Sequence, residues 1–515
     1  MYQNPIIKMD YPDIDVIRVR DTYYMISTTM HFMPGCEILR SYDLANWEIA
    51  GHVYETLDNT PAQQLTENQN IYGQGMWAPS FRYHKGMFYI CFSANDTQKT
   101  YLYKSKKIEG PWHKQYIDGF YHDCSLLFDD DERVYIVYGN NKIHLTELEP
   151  DLSGPKKGGI NRIIVEDKGN HTLGYEGSHI YKINGRYYVF FIHSLPDKWF
   201  RTEACFSSDS LEGEFTGGDV LQDDMEYRNS GVAQGGIIDT PNGDWYGILF
   251  QDRGAVGRCP VLIPVHWQEN QPIFGENGKI PHNITVQSTK PDYSYEPLFS
   301  SDDFKYEPDE TGKIHLKKVW QWNHNPNNEY WSVTERPGAL RLHSGKICQG
   351  LLQSYNTLTQ RTMEPSSAAW VTVDGALLKN GDFTGICAFQ GCYGAIALSK
   401  ENNKYFLTMF GKPAKNDSLQ GDFASEEAYV EYEKIPLNSS VITLKATVDY
   451  RNAKDEAAFF YRKNEKWLPL GISHKLYFKL DHFTGCRFGL FYFSTKEKDG
   501  IADFMNFHYE PQLLQ

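Results

Sequence analysis

Three carboxylates stand at matching places in a repeat, and that spacing is the feature of the chain with the most chemistry in it. Five hairpin-like units align on Tyr24, Tyr89, Tyr135, Tyr188 and Tyr246, each in the second strand of its unit. Counting back twelve residues from the last four reaches Trp77, Asp123, Glu176 and Gln234. The first unit has a turn one residue shorter, and eleven residues back lies Asp13. Acids scattered over a surface do not recur at one place in three repeats. Brought into one small space, carboxylates in different surroundings have their pKa values pushed apart, the condition for one to take a proton while another gives one. Trp77 offers a flat apolar plate suited to the C–H face of a sugar ring. Arg258 enters an apolar strand, where a cation needs an anionic partner, and the three acids are the candidates. His31 and Phe32, in the loop 28–35, are further candidates to line a pocket, and Gln234 to touch what it holds.

The elements that would position these residues are hairpins. Asn184-Gly185 separates two apolar-aromatic runs, the strongest short-range hairpin signal. The units recur at intervals of roughly 45–65 residues, the range of propeller blades. The first strand of each blade lines the central channel, so equivalent positions converge there. Pro12 belongs at the start of the first inner strand. Asp13 then stands at the channel mouth, with Asp15 on the same face two residues deeper; Asp10 and Asp15 are read as structural. The run Asp129-Asp130-Asp131-Glu132 reads as an exposed turn.

At 515 residues the chain is expected to hold two domains. The expected fold is all-β: a five-bladed β-propeller over residues 1–290, a linker within 281–297, and a β-sandwich of jelly-roll, concanavalin-like type over 298–515. The formal charge of −15 argues against nucleic acid or an anionic membrane and suits a neutral small oligosaccharide. A homo-oligomer is compatible with the sequence. No basic segment followed by an apolar core opens the chain and no run of about 18 apolar residues exists, so a cytoplasmic location is expected. The nine cysteines are read as buried thiols. No cofactor and no metal are expected at the centre; Asp303 and Asp503 are a candidate pair for a structural Ca²⁺.

The motifs together resemble glycoside hydrolase family 43. The resemblance rests on Asn4-Pro5, Tyr11-Pro12-Asp13, Trp77-Ala78-Pro79, Asp123-Cys124-Ser125 leading to Phe128-Asp129-Asp130-Asp131, Glu176-Gly177 leading to Tyr181-Lys182, and Gly257-Arg258 before Leu262-Ile263-Pro264-Val265-His266-Trp267. The last part resembles the sandwich of the β-xylosidase / α-L-arabinofuranosidase branch. The resemblance implies an inverting mechanism with Asp13 as general base, Asp123 as pKa modulator and Glu176 as general acid with a raised pKa. It implies exo-acting release of terminal β-D-xylosyl or α-L-arabinofuranosyl units from hemicellulose oligosaccharides. Ile14 departs from the family's usual proline. Gln234 replaces a histidine that holds a channel metal in many relatives, and an amide is a poor substitute, so that metal is not expected here. The alternatives weighed are an endo-acting arabinanase or xylan-debranching member, a retaining fructosyl-bond propeller, whose nucleophile loop is missing, and a non-catalytic carbohydrate-binding propeller.

Overall fold

The computed structural model describes residues 1–169, 172–414 and 429–512. Among these residues there are only three short 3-10 turns and no α-helix, as expected of a chain rich in β-branched and aromatic runs punctuated by Gly and Asn turns. Five four-stranded antiparallel sheets follow one another. Blade 1 comprises Asp15–Val19, Thr22–Ser27, Gly35–Ser41 and Glu48–Tyr54; the inner strands of blades 2 to 5 are Met76–His84, Ser125–Phe128, Glu176–Ile183 and Val232–Asp239. Each inner strand packs against its neighbours around the ring, and that of blade 5 lies on that of blade 1. The closure is tied twice: Arg18 ion-pairs with Asp239, and Tyr2–Gln3 pairs antiparallel with Asn283–Ile284.

The remaining strands form two sheets stacked face to face. One runs, in spatial order, from Val430–Leu437 through Lys404–Gly411, Gly394–Glu401, Asp382–Phe389, Arg487–Ser494, Leu358–Arg361 and Gln321–Asn323. Its eighth strand, Phe32–Met33, comes from blade 1, so the propeller donates an edge to the sandwich. The second sheet centres on Ser366–Asp374, flanked by Ile501–Glu510 and Val441–Asp449. Alternation drives the stacking: Val371 and Val373 are fully buried while Trp370, Thr372 and Asp374 are less so, which is the period of a one-faced strand. The last strand returns to the domain's beginning, where Asp302 and Phe507 exchange backbone hydrogen bonds of 2.8 Å.

The two acids of the candidate Ca²⁺ pair are each engaged with cationic side chains. Asp503 is taken by Arg341 (2.8 Å) and Arg336 (2.7 Å), and Asp303 is an exposed acid paired with Lys305 at 3.1 Å. All nine cysteines are buried and free.

Candidate active site

The five positions aligned by sequence, Asp13, Trp77, Asp123, Glu176 and Gln234, line one pocket of about 230 Å³ at the mouth of the channel. Each inner strand is broken at that level. Asp13, Asp123 and Gln234 have left-handed φ of 50°, 48° and 60°; in the other two blades the next residue does, Ala78 at 31° and Gly177 at 65°. Three of the strands shift register there, between Trp77 and Ser80, Glu176 and His179, and Ala233 and Gly235. A bulge adds a residue and re-aims a side chain, here off the blade and into the channel mouth. Left-handed backbone at a non-glycine residue costs on the order of 1–3 kcal/mol. At Gly177 the left-handed φ favours glycine, and a Cβ there would lie 2.6 Å from the Gln234 side chain, which would have to move.

Asp13 is buried and accepts a 2.8 Å hydrogen bond from Arg258 Nη1. Burial raises its pKa, and Arg258 pulls it only part of the way back. Asp123 is pushed up to about 7, by burial first and by the charges of Glu176 and Asp13, against the pull of His122; its Oδ2 accepts from the Gly177 N–H at 3.2 Å. His122 Nε2 lies 3.7 Å from Asp123 and 3.6 Å from Glu176. The Asp123 carboxylate, helped by Glu176, raises the imidazole to about 9 in spite of burial. Asn140 Nδ2 donates to Glu176 Oε2.

Arg258 joins the pocket to its surroundings. Its backbone N–H donates to Asp10, whose other oxygen accepts from Gly485 of the sandwich. Asp10 therefore buttresses the pocket from behind. The Arg258 guanidinium stacks on Phe483, 4.3 Å from its centroid, and donates to the Phe483 carbonyl at 3.3 Å. Phe478, Lys479, Leu480 and Phe483, all from the second domain, wall one side of the pocket. The Phe483 ring lies 5.7 Å from Trp77.

His31 and Phe32 are a correction. Both are fully buried away from this pocket, in the seam between the domains. Phe32 belongs to the strand given to the sandwich and lies beneath the Arg487 guanidinium at 3.7 Å. His31 packs among Tyr72, His324 and His482. The long loop after blade 1 is committed to the same seam, where Ile71 N–H donates to His324 and Tyr72 to the Leu352 carbonyl.

The sequence pointed to neither His122, although it immediately precedes Asp123, nor Asn140, Trp199, Arg201 and Asp252. The segment 478–483 carried no local signal at all; only the fold brings it back.

Deeper in the channel, where the family's metal would be sought, the donor set does not fit one. Gln234 lines the pocket above, with its backbone N–H donating to Glu203. Beneath lies a guanidinium: Arg82 donates to Asp15 (2.7 Å), Ser125 Oγ (2.6 Å) and the carbonyls of Phe81, Leu126 and Ile180. At the mouth, His122, Asp123 and Glu176 each offer a donor atom within 4.8 Å of the others. That set can take a divalent cation, in competition with the protons it carries.

Comparison with known proteins agrees with this geometry. Residues 2–272 match glycosyl hydrolases family 43, and residues 309–510 match the concanavalin A-like C-terminal domain of β-xylosidases. A β-xylosidase of Formosa agariphila is 26 % identical over 99 % of this chain and 90 % of its own length. A non-reducing end α-L-arabinofuranosidase of Bacteroides ovatus is 25 % identical over 67 % of this chain and 65 % of its own. The solved structure of a bifunctional GH43-CE protein of Bacteroides eggerthii is 40 % identical with a TM-score of 0.91; it covers all of this chain, which spans 64 % of that longer one.

Proposed function

The chain belongs to glycosyl hydrolases family 43, and from that premise we propose an exo-acting, inverting glycosidase that removes terminal β-D-xylosyl or α-L-arabinofuranosyl units from hemicellulose oligosaccharides. The observation that carries this reading is the convergence of five equivalent positions, at the mouth ends of the five inner strands, on one small pocket, with one wall supplied by the second domain. A wall there suits a chain end better than a chain interior, which favours exo over endo action.

In this reading a terminal sugar lies with its C–H face on Trp77 and its hydroxyls toward Arg258 and Gln234. Asp13, ionised and held by Arg258, takes a proton from the attacking water. Glu176 gives its proton to the leaving oxygen from the opposite side of the ring. Inversion needs about 6.5–9.5 Å between acid and base to admit that water. Asp123 and His122 hold charge beside Glu176 and tune it through the field they share. None of these steps is routed through a metal, so activity is expected to survive EDTA.

The relatives' names cover both sugars, and so does the test. Purified protein is offered aryl β-xyloside and aryl α-L-arabinofuranoside, and the first-formed product anomer is read by NMR. Hydrolysis of at least one with inversion is expected. Retention, or turnover of neither, would end the proposal. The non-catalytic reading predicts binding without release.

A further inference from the structure

A second cleft is larger than the catalytic pocket. About 640 Å³ opens between blade 1 and the extended stretch 313–318 that leads into the sandwich, sharing no lining residue with the pocket above. Indoles line it: Trp331 is half-buried, packs 5.0 Å from Trp322, and is fixed by a 2.8 Å bond from its Nε1 to Asn328. A held, partly open indole is the surface a pyranose ring stacks on.

The charge of the cleft runs against the rest of the molecule. On a chain of formal charge −15, its lining holds Lys313, Lys317 and Lys318 against one carboxylate, Glu55. Lys313 is 3.6 Å from Glu55. Among the described residues the other two ammonium groups have no carboxylate partner. Lys317 donates to the Ser301 carbonyl at 2.6 Å and Lys318 to the Ala50 carbonyl at 2.9 Å. Each ammonium has donors to spare, and a ligand carboxylate would supply the missing charge.

We propose that this cleft is a second glycan site, taking an oligosaccharide that bears a uronic acid, with a pyranose ring on Trp331 and the carboxylate at Lys317 and Lys318. The choice of a glycan rests on the function proposed above; the acidic substituent rests on the lysines. Such a site would hold a decorated chain on the enzyme while the catalytic pocket works on its free ends.

The test is calorimetric titration of the full chain with a xylo-oligosaccharide carrying glucuronic acid on its non-reducing terminal xylose, which an exo-glycosidase does not shorten. A neutral counterpart carrying glucose in place of glucuronic acid on the same terminal xylose, capped against exo cleavage in the same way, is titrated in parallel. The acidic probe should bind with Kd below about 1 mM. Trp331→Ala and Lys318→Met should each weaken it about tenfold or more, while turnover of aryl glycosides stays at the wild-type level. Absence of binding, equal binding of the neutral probe, or binding that survives both substitutions would overturn the site. Loss of aryl-glycoside turnover in the unaltered protein would instead strike the proposed function, and the titration would still judge the cleft.

Discussion

Asp15 opens the inner strand of blade 1 and Asp13 lies two residues before it; both are buried, and they do opposite things. At the mouth, burial raises Asp13 with a single guanidinium, Arg258, to offset it. One layer down, burial of Asp15 is outweighed by Arg82, by His179 and by the Phe81 N–H, which together hold its carboxyl below the usual range. The same contrast runs around the ring. The mouth carries left-handed backbone, a carboxyl lifted to about 7 and an imidazole lifted to about 9. The layer below carries a guanidinium with its donors spread over three carbonyls, a hydroxyl and a carboxylate. Compensated charge holds the blades together, and under-compensated charge is left where substrate arrives. A buried acid is therefore read by its partners, not by its burial.

Replacing each acid by its amide should separate the two layers. Asp13→Asn should cut kcat by about 10²–10⁴-fold, the range of a lost general base, and, because burial already raises the Asp13 pKa against the pull of Arg258, it should cost less stability than the matching change at Asp15. Asp15→Asn leaves a buried guanidinium short of its counter-charge, a loss of about 3–5 kcal/mol, so denaturant unfolding should show it as unstable or insoluble. Equal stability of the two variants would erase the distinction between the layers.

Subtler changes at the mouth sharpen it. His122 lowers the Asp123 pKa, so removing its charge with His122→Gln lets the acidic cluster keep its proton to higher pH. The alkaline limb of the pH–rate profile should move up by about one unit. A downward move would contradict the assigned charge. The smallest effect concerns stability. A carboxyl raised in the folded state contributes stability that is present below its unfolded pKa and lost as pH rises through about 7. Asp123→Asn removes that loss, so its melting temperature should rise relative to wild type at pH 8 and not at pH 4. The gain should be a few degrees, about 2–4 °C for each kcal/mol recovered.

The mouth was legible in the sequence because hairpin register is local. A fixed turn length keeps a fixed distance from aromatic strand to inner strand, so twelve residues back from Tyr135 or Tyr188 is the same place in space. The bulge of blade 4 is local too, marked by Gly177 at a left-handed φ that favours glycine. What escaped depends on distant partners. His31 and Phe32 have the polar-aromatic look of a pocket, yet a strand of the second domain, Gln321–Asn323, claims Phe32 as an edge partner. Phe483 reaches Arg258 across a sequence separation of 225 residues. Nothing in the six residues around it reports that contact. His122 lies between: its charge is held first by the adjacent Asp123 and then by Glu176, in another blade.

The central claim is that the mouth ends of the inner strands deliver a base from blade 1 and an acid from blade 4 to one sugar. The most direct measurement compares Glu176→Gln and Asp13→Asn on two glycosides, one with a leaving group that needs a proton and one, a dinitrophenolate, that does not. Loss of the acid should cost Glu176→Gln about 10²–10⁴-fold on the first and little on the second, whereas Asp13→Asn should lose a similar factor on both. Equal losses for Glu176→Gln on the two leaving groups would contradict the account.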